Sequence, residues 1–253
     1  MRKQGAFSRR RHPQFPDARP TAKLRRWSAL WTGVRSPGLA SIYALKGRFQ
    51  ALLRPAVRRL HALGATANQV TVTAALLSLV VAGLVWWQAP LRPWVFALLP
   101  VWMFARMALN AIDGMLAREF AQQSPLGAFL NELGDVIADA ALYLSLLAVA
   151  GMAAWPLWLL VWLAALSEYA GVLGLMVGAQ RRYDGPMGKS DRAFVIGTLG
   201  LLLALGLIDA MAVQWVVLAM AVLCAWTVVR RVRAGLAQAR TGNDVTDHRR
   251  SGT

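Results

Sequence analysis

The chain is poor in the residue types that most soluble enzymes rely on. Of 253 residues it has one cysteine, three histidines and twelve Asp and Glu against 28 Lys and Arg. The single thiol, Cys224, excludes an internal disulfide and any multi-cysteine metal site. It sits in a hydrophobic run and reads as a small buried hydrophobe. His12 and His248 lie in the basic tails and His61 in the basic segment before the first apolar run, so a His/Cys zinc site is not expected. Charged residues make up only 16% of the chain and hydrophobic ones 57%, too apolar for an ordinary soluble domain.

What the chain has instead is one long apolar run after another. Crossing a bilayer takes about 20 residues, and six runs approach that length: 70–87, 94–112, 126–152, 155–177, 193–208 and 211–229. The expected fold class is an all-α polytopic membrane protein with about six transmembrane helices. Residues 1–37, rich in Arg, Pro, Ser and Gln, are expected to form a disordered basic tail, with no apolar core of the kind a signal peptide needs. Residues 38–64 place Ile42, Leu45, Phe49, Leu52, Leu53, Val57 and Leu60 at helical spacing among basic side chains. That pattern fits an amphipathic interfacial helix before the first span, with Pro55 expected to kink or split it. Thr66 or Asn68 is placed to cap the next helix. Residues 65–233 make the six-span domain, and 234–253 a basic polar tail.

Lys and Arg crowd the segment before Val70, the 179–192 loop (Arg181, Arg182, Lys189, Arg192) and the C-terminal tail, whereas the alternate loops hold only Arg92. The positive-inside rule then places both termini and the loops after spans two and four in the cytoplasm. Beside membrane spans, such basic ends point to contact with anionic lipid rather than to nucleic acid. Arg181 and Arg182 are expected to act as anchors of this kind.

Five of the twelve carboxylates fall between Asn110 and Asp139: Asp113, Glu119, Glu132, Asp135 and Asp139. Ionisable groups at membrane depth are costly and point to function. Residues three and four apart share a helix face. Asn110, Asp113, Gly114 and Ala117 therefore form one row at the end of span two, and Asn131, Asp135 and Asp139 another at the start of span three. A short cytoplasmic turn makes the spans antiparallel, so the rows can face each other at one depth. Carboxylate and amide oxygens from facing helices suit a hard divalent ion, Mg²⁺, Mn²⁺ or Ca²⁺. Small residues between them allow close helix approach or leave room for a flat, phosphate-bearing ligand. Arg118 adds a fixed charge suited to phosphate. Asp139 has two readings, a metal or pocket role and a pairing with Arg106. Glu168, with Ser167 in span four, is open between acceptor binding and structural pairing. Glu119 reads as a solvated loop charge.

The run Asp113-Gly114-x2-Ala117-Arg118-x8-Gly127-x3-Asn131-x3-Asp135 resembles the signature of the CDP-alcohol phosphotransferases, D-x2-D-G-x2-A-R-x8-G-x3-D-x3-D, with its spacing intact. Thr66-Ala67-Asn68-x2-Thr71 resembles the family's T-P-N-x2-T, with Ala67 in place of proline. Gly188-Lys189-x2-Arg192 resembles the basic phosphate-handling segment of phosphatidylglycerophosphate synthases. The resemblance covers about residues 40–235 and implies transfer of a phosphatidyl group from a CDP-linked lipid, usually CDP-diacylglycerol, to an alcohol, with release of CMP. It implies a divalent metal, Mg²⁺ or Mn²⁺, held by Asp113 and Asp135 with Asn110, Asn131 and Asp139, and Asp135 as general base. It implies a nucleotide and substrate site at Asn68, Gly114, Ala117, Arg118 and Gly127, with Lys189 and Arg192 on phosphate. It further implies a bacterial inner-membrane location with a cytoplasmic site, and allows a homodimer. Asn110 and Asn131 stand where the family has its first and third aspartates, which removes two negative charges. Two other readings follow from the same residues: a family member that binds nucleotide or lipid with little turnover, and a small transporter using its intramembrane carboxylates. The fixed motif spacing and the lack of an obvious internal repeat speak against the transporter.

Overall fold

The structure is a computed structural model. It describes the backbone of residues 37–250 and the side chains of residues 47–240. The expected N-terminal basic tail, apart from Pro37, lies outside the described residues. Of residues 1–49 only the start of one helix is described, α1 (Pro37–Ala62). That helix continues through Pro55 instead of splitting there. Residues 54–56 are exposed, so the ring and the lost N–H face no packed neighbour.

From Gln50 onward the chain is one compact unit. The second half of α1 is amphipathic as expected. Val57 is fully buried, with Leu53 and Leu60 beside it, while Arg54, Arg58 and Arg59 are exposed. This apolar stripe packs on Val70, Ile112, Met115 and Leu116.

Six helices follow: α2 (Ala67–Gln88), α3 (Leu98–Glu119, entered through a 3-10 turn at Pro93–Ala97), α4 (Pro125–Leu144), α5 (Ala154–Met176), α6 (Lys189–Ala204) and α7 (Ala210–Arg250). Thr66 caps α2 in a capping box: its hydroxyl accepts from the Gln69 amide, and the Gln69 side chain accepts from the Thr66 amide. The caps satisfy amides that a helix start leaves without partners. Ser124 likewise caps α4 by accepting from Gly127 N at 3.0 Å. Among the described residues, four segments are long and apolar enough to cross a membrane: Ala67–Gln88, Pro93–Glu119, Ala154–Met176 and Ala210–Arg240. Helix α4 carries Glu132, Asp135 and Asp139, and α6 has only 16 residues. These two fall outside the four such segments, although both occupy places where the six-span reading puts a helix.

Only about a third of each spanning window is buried within the protein. The outward faces carry Trp86, Trp158, Trp162, Phe194 and Trp215. Helices apolar on every side belong in lipid, where each backbone group must find its partner inside the segment. The core joins Val85, Leu99, Leu142, Tyr143, Leu160, Ile196 and Val217.

Helix α2 packs on both α3 and α4, α3 packs on α6, and α5 packs on α7 and α4. Helices α3 and α4, consecutive in the chain, have little direct backbone contact. The two rows of motif residues therefore do not form a closed two-helix seam. They stand on separated helices, with α2 bridging them.

Candidate active site

Two boundary shifts put the motif on rigid elements. Span two, expected to end near Ile112, continues as α3 to Glu119. Nothing in Met115-Leu116-Ala117-Arg118-Glu119 opposes a helix, since all five are good helix formers. Span five begins at Lys189, not at Ala193, because Asp191 accepts from the Gly188 amide at 2.9 Å and starts the helix there. Lys189 and Arg192 are therefore helical residues.

The gap between α3 and α4 is a cavity of about 400 Å³ floored by α2. Asn68 and Thr71 come from α2, Asn110, Asp113, Gly114, Ala117 and Arg118 from α3, and Gly127 and Asn131 from α4. Eight of the residues singled out in the sequence thus share one space. Asp113 is buried, and its Oδ2 accepts from the Thr71 hydroxyl at 2.8 Å. The Arg118 guanidinium lies over Gly114, 3.0 Å from where a Cβ would stand. A Cβ on Gly127 would meet Asn68 Oδ1 at 2.6 Å and Ser124 Oγ at 3.0 Å. Glycine at this position thus lets α4 approach α2 closely enough to bring Asn68 to the cavity wall.

Asp135 stands beside this cavity. Its Oδ1 is 3.5 Å from Asn110 Nδ2 and accepts from Arg106 at 3.2 Å, and its Oδ2 pairs with the Lys189 ammonium. Arg106 also donates to the Asp135 carbonyl at 3.1 Å and pairs with Asp139. It does not snorkel to the surface, being only 4% exposed. Asp139, for which two roles were open, is in this structure buried between Arg106 and Arg192.

A second cavity of about 400 Å³ runs between α3 and α6. Its walls are mainly apolar, with Pro100, Met103, Phe104, Ala193, Phe194 and Leu201. Its polar end is formed by Arg106, Asn110 and Lys189. Asn110 lines both cavities.

Further along α4 the polar side chains are paired. Glu168 of α5 receives Arg192 at 2.9 Å, Arg231 at 3.3 Å and Arg181 at 3.4 Å. Arg181 also holds Glu132 at 2.7 Å. Burial opposes the Arg181 charge, but the Tyr183 hydroxyl and Glu132 outweigh it and raise its pKa further. In the same loop, two hydrogen bonds from Arg182, at 2.8 and 3.0 Å, hold the Asp184 carboxyl below its ordinary range. Glu119, the last residue of α3, makes an exposed pair with Arg54 at 3.0 Å.

Three contributors escaped the sequence reading. Thr71 appeared only as a motif letter, although it holds Asp113. Arg231 was counted only among basic residues of the tail, although it is 2% exposed in the buried network. Arg181 was taken for an anchor and is instead an ion-pair partner of Glu132 and Glu168. In each case the missing information was a neighbour on another helix, which single-helix periodicity does not carry.

The model of the CDP-alcohol phosphatidyltransferase family matches residues 64–227. The chain belongs to this family. Inner membrane protein YnbA of Escherichia coli is 43% identical over 199 residues, covering 78% of this chain and 96% of that protein. Two crystal structures of phosphatidylinositol phosphate synthase from Mycobacterium tuberculosis share the fold at a TM-score of 0.61. One, in complex with manganese and citrate, is 20% identical over 72% of this chain and 88% of that chain. The other, with CDP-DAG bound, is 19% identical over 72% and 92%. Membership makes this chain a phosphatidyltransferase acting in phospholipid headgroup transfer. Its family match spans α2 through α6 and the first half of α7, the part of the chain that holds the cavities.

Proposed function

We propose that the protein moves a phosphatidyl group from a CDP-linked lipid, CDP-diacylglycerol, to an alcohol and releases CMP, with a divalent metal as cofactor. The observation that carries this reading is the junction of two cavities at Asn110. One is polar and lined by Asn68, Asp113, Arg118 and Asn131. The other is apolar, bordered by α3 and α6. Such a pair suits one molecule with a polar nucleotide head and apolar tails. The related synthase with CDP-DAG bound supports the donor class, and the one with manganese supports the metal.

Among the described residues no three His, Cys, Asp or Glu side chains gather as a metal site. The donor set nevertheless fits a hard ion, because Asn110, Asp113 and Asn131 line one cavity and amide oxygens serve such ions as well as carboxylates. Asp113, Asn110 and Asn131 would hold it, with Asp135 adjacent. When bound, the ion would neutralise charge on the donor's pyrophosphate and on the departing CMP. With one carboxylate among these three residues, the site is expected to bind one ion and to rely on substrate phosphate to complete the shell.

The chain's own residues do the rest. Arg118, exposed at the cavity rim, supplies a phosphate partner. Asp135 accepts the proton of the attacking hydroxyl. Arg106 fixes it by holding both its carbonyl and its Oδ1. Lys189, paired with Asp135 here, is placed to exchange that carboxylate for substrate phosphate. Bond making and breaking balance: the alcohol oxygen joins phosphorus, the bond from phosphorus to the CMP oxygen breaks, and the proton goes to Asp135. The Lys and Arg distribution supports a cytoplasmic site in an inner membrane crossed by all six helices α2–α7.

The test is CMP release by purified protein given CDP-diacylglycerol, Mg²⁺ or Mn²⁺ and a panel of alcohols. Metal-dependent release is expected. No release with any alcohol, with nucleotide still bound, would instead favour a family member that binds without turnover.

A further inference from the structure

The arginines beyond Asp135 form the most heavily buried charged cluster in the described residues, and resemblance assigned one of them, Arg192, to phosphate. The structure leaves it no capacity for that role. An arginine has five N–H donors, and all those of Arg192 are engaged. Nε donates to the Tyr143 hydroxyl at 3.2 Å. Nη1 donates to Ser167 Oγ at 3.2 Å and Met187 O at 3.1 Å. Nη2 serves Glu168 at 2.9 Å and Asp139 at 3.4 Å. Its side chain is 1% exposed. Arg231 gives Nε to the Asp184 carbonyl at 3.3 Å and Nη1 to the Ser167 carbonyl and Glu168. The cavity beside Arg192 and Glu168 is about 10 Å³, room for one water at most.

Charge agrees with geometry. Arg106, Arg181, Arg192 and Arg231 face Glu132, Asp135, Asp139 and Glu168, four against four, and among the described residues of this cluster Lys189 at Asp135 is the one cation in excess. The cluster reaches the surface at Arg181 and Glu132, which are 25% and 31% exposed. Glu132 lies one turn from Asp135 on the same face of α4, where an acceptor hydroxyl must wait to meet the base. A phosphate there, carrying about −1.5 to −2 charges at pH 7, would confront Glu132 and Glu168, with each arginine of the cluster already paired to a carboxylate and, among the described residues, only the buried Arg181 Nε left without a partner.

We infer that the acceptor is an alcohol without a phosphate group, a polyol or sugar hydroxyl, and that Glu168 sets this preference by neutralising the arginines around it. The inference rests on the transfer reaction proposed above and names the substrate class of the same site. The reaction itself needs only a hydroxyl oxygen and its proton from the acceptor.

Two arms test it. In the first, CMP release from CDP-diacylglycerol is compared for matched pairs: glycerol against glycerol 3-phosphate, and inositol against inositol phosphate. The neutral member is expected to show at least tenfold higher kcat/KM, and a preference for the phosphorylated member overturns the inference. In the second, binding of radiolabelled inorganic phosphate to metal-free protein in detergent is measured by equilibrium dialysis. Wild type is expected to show no saturable binding that depends on Arg181, while Glu168→Gln or Glu132→Gln acquires such binding and loses it again when Arg181→Gln is added. Either Gln variant alone reads the effect if the other folds poorly. Saturable binding by wild type that Arg181→Gln abolishes, or no binding by either Gln variant, overturns the inference. Absence of CMP release with every alcohol counts against the transfer reaction itself, and phosphate binding then decides the role of Glu168 alone.

Discussion

Helix α4 separates two polar regions built from similar residues with opposite habits. Toward its start, Asn131 and Gly127 face a cavity of about 400 Å³ whose polar groups are only partly engaged with one another. Past Asp135, Asp139 enters a network with about 10 Å³ of free space, in which every Arg192 donor has a partner. A polar group with unspent capacity beside open space is available to a ligand. A buried one whose bonds are all made is a strut, and removing its partner strands a charge. Asp135 stands at the boundary, held by Arg106 and Lys189 yet adjacent to the open cavity. Presence of a charge in a membrane helix therefore does not by itself separate chemistry from scaffolding, whereas the state of its partners does.

The comparison can be broken by mutation. Asp135→Asn should lower CMP release by about 10²–10⁴-fold, the usual contribution of a general base, with unfolding in detergent little changed; near wild-type release would remove Asp135 from the base role. On the other side of α4, Arg192→Met should act mainly on folding. It leaves Glu168 and Asp139 short of a buried partner, a loss of about 3–5 kcal/mol, read as a lowered thermal midpoint. Unchanged stability would mean that the network is not a strut. Gly127→Ala tests how tightly the open side is built. The new methyl meets Asn68 Oδ1 at 2.6 Å, and overpacking of this kind costs about 1–3 kcal/mol; a raised KM for the CDP-lipid is the expected readout, and an unaltered KM would show that Asn68 moves freely. Thr66→Ala removes the α2 cap and should cost about 1 kcal/mol in thermal unfolding.

The smallest effect concerns pH. Arg182 depresses the Asp184 pKa in the folded protein, so the contribution is present above the unfolded value of about 3.9 and fades as pH falls through the lower folded value. Asp184→Asn should thus lower the unfolding midpoint slightly at neutral pH, and the difference should vanish in strong acid. A gap that persists there would assign the effect to packing.

The sequence made the helices and the polar cavity legible because both are local. Thr66 before an apolar run signals a cap, and the row Asn110, Asp113, Gly114, Ala117 follows from helical periodicity. The eight-residue gap to Gly127 holds both the turn and the Ser124 cap. Distances between helices were not legible. The rows on α3 and α4 were expected to face each other at one depth and do so across the cavity, but the width of that gap and its floor on α2 were not foreseen, since periodicity gives direction around one axis and nothing about the space to the next. Helix ends near charged residues also shifted, at Glu119 and Lys189, because hydropathy marks where lipid ends and not where hydrogen bonding does. Lys189 was assigned to phosphate and meets Asp135 here, a pairing across 54 positions that no spacing rule announces.

The meeting of the two cavities at Asn110 has a kinetic consequence. A donor lipid that enters through the apolar groove between α3 and α6 need not leave the bilayer to reach the polar cavity. Its search is then lateral diffusion in a plane, and the quantity that saturates the enzyme is the mole fraction of donor in the membrane, not its amount per volume of solution. Diluting vesicles at fixed lipid composition should leave the rate per enzyme unchanged, whereas diluting the donor with inert lipid should lower it.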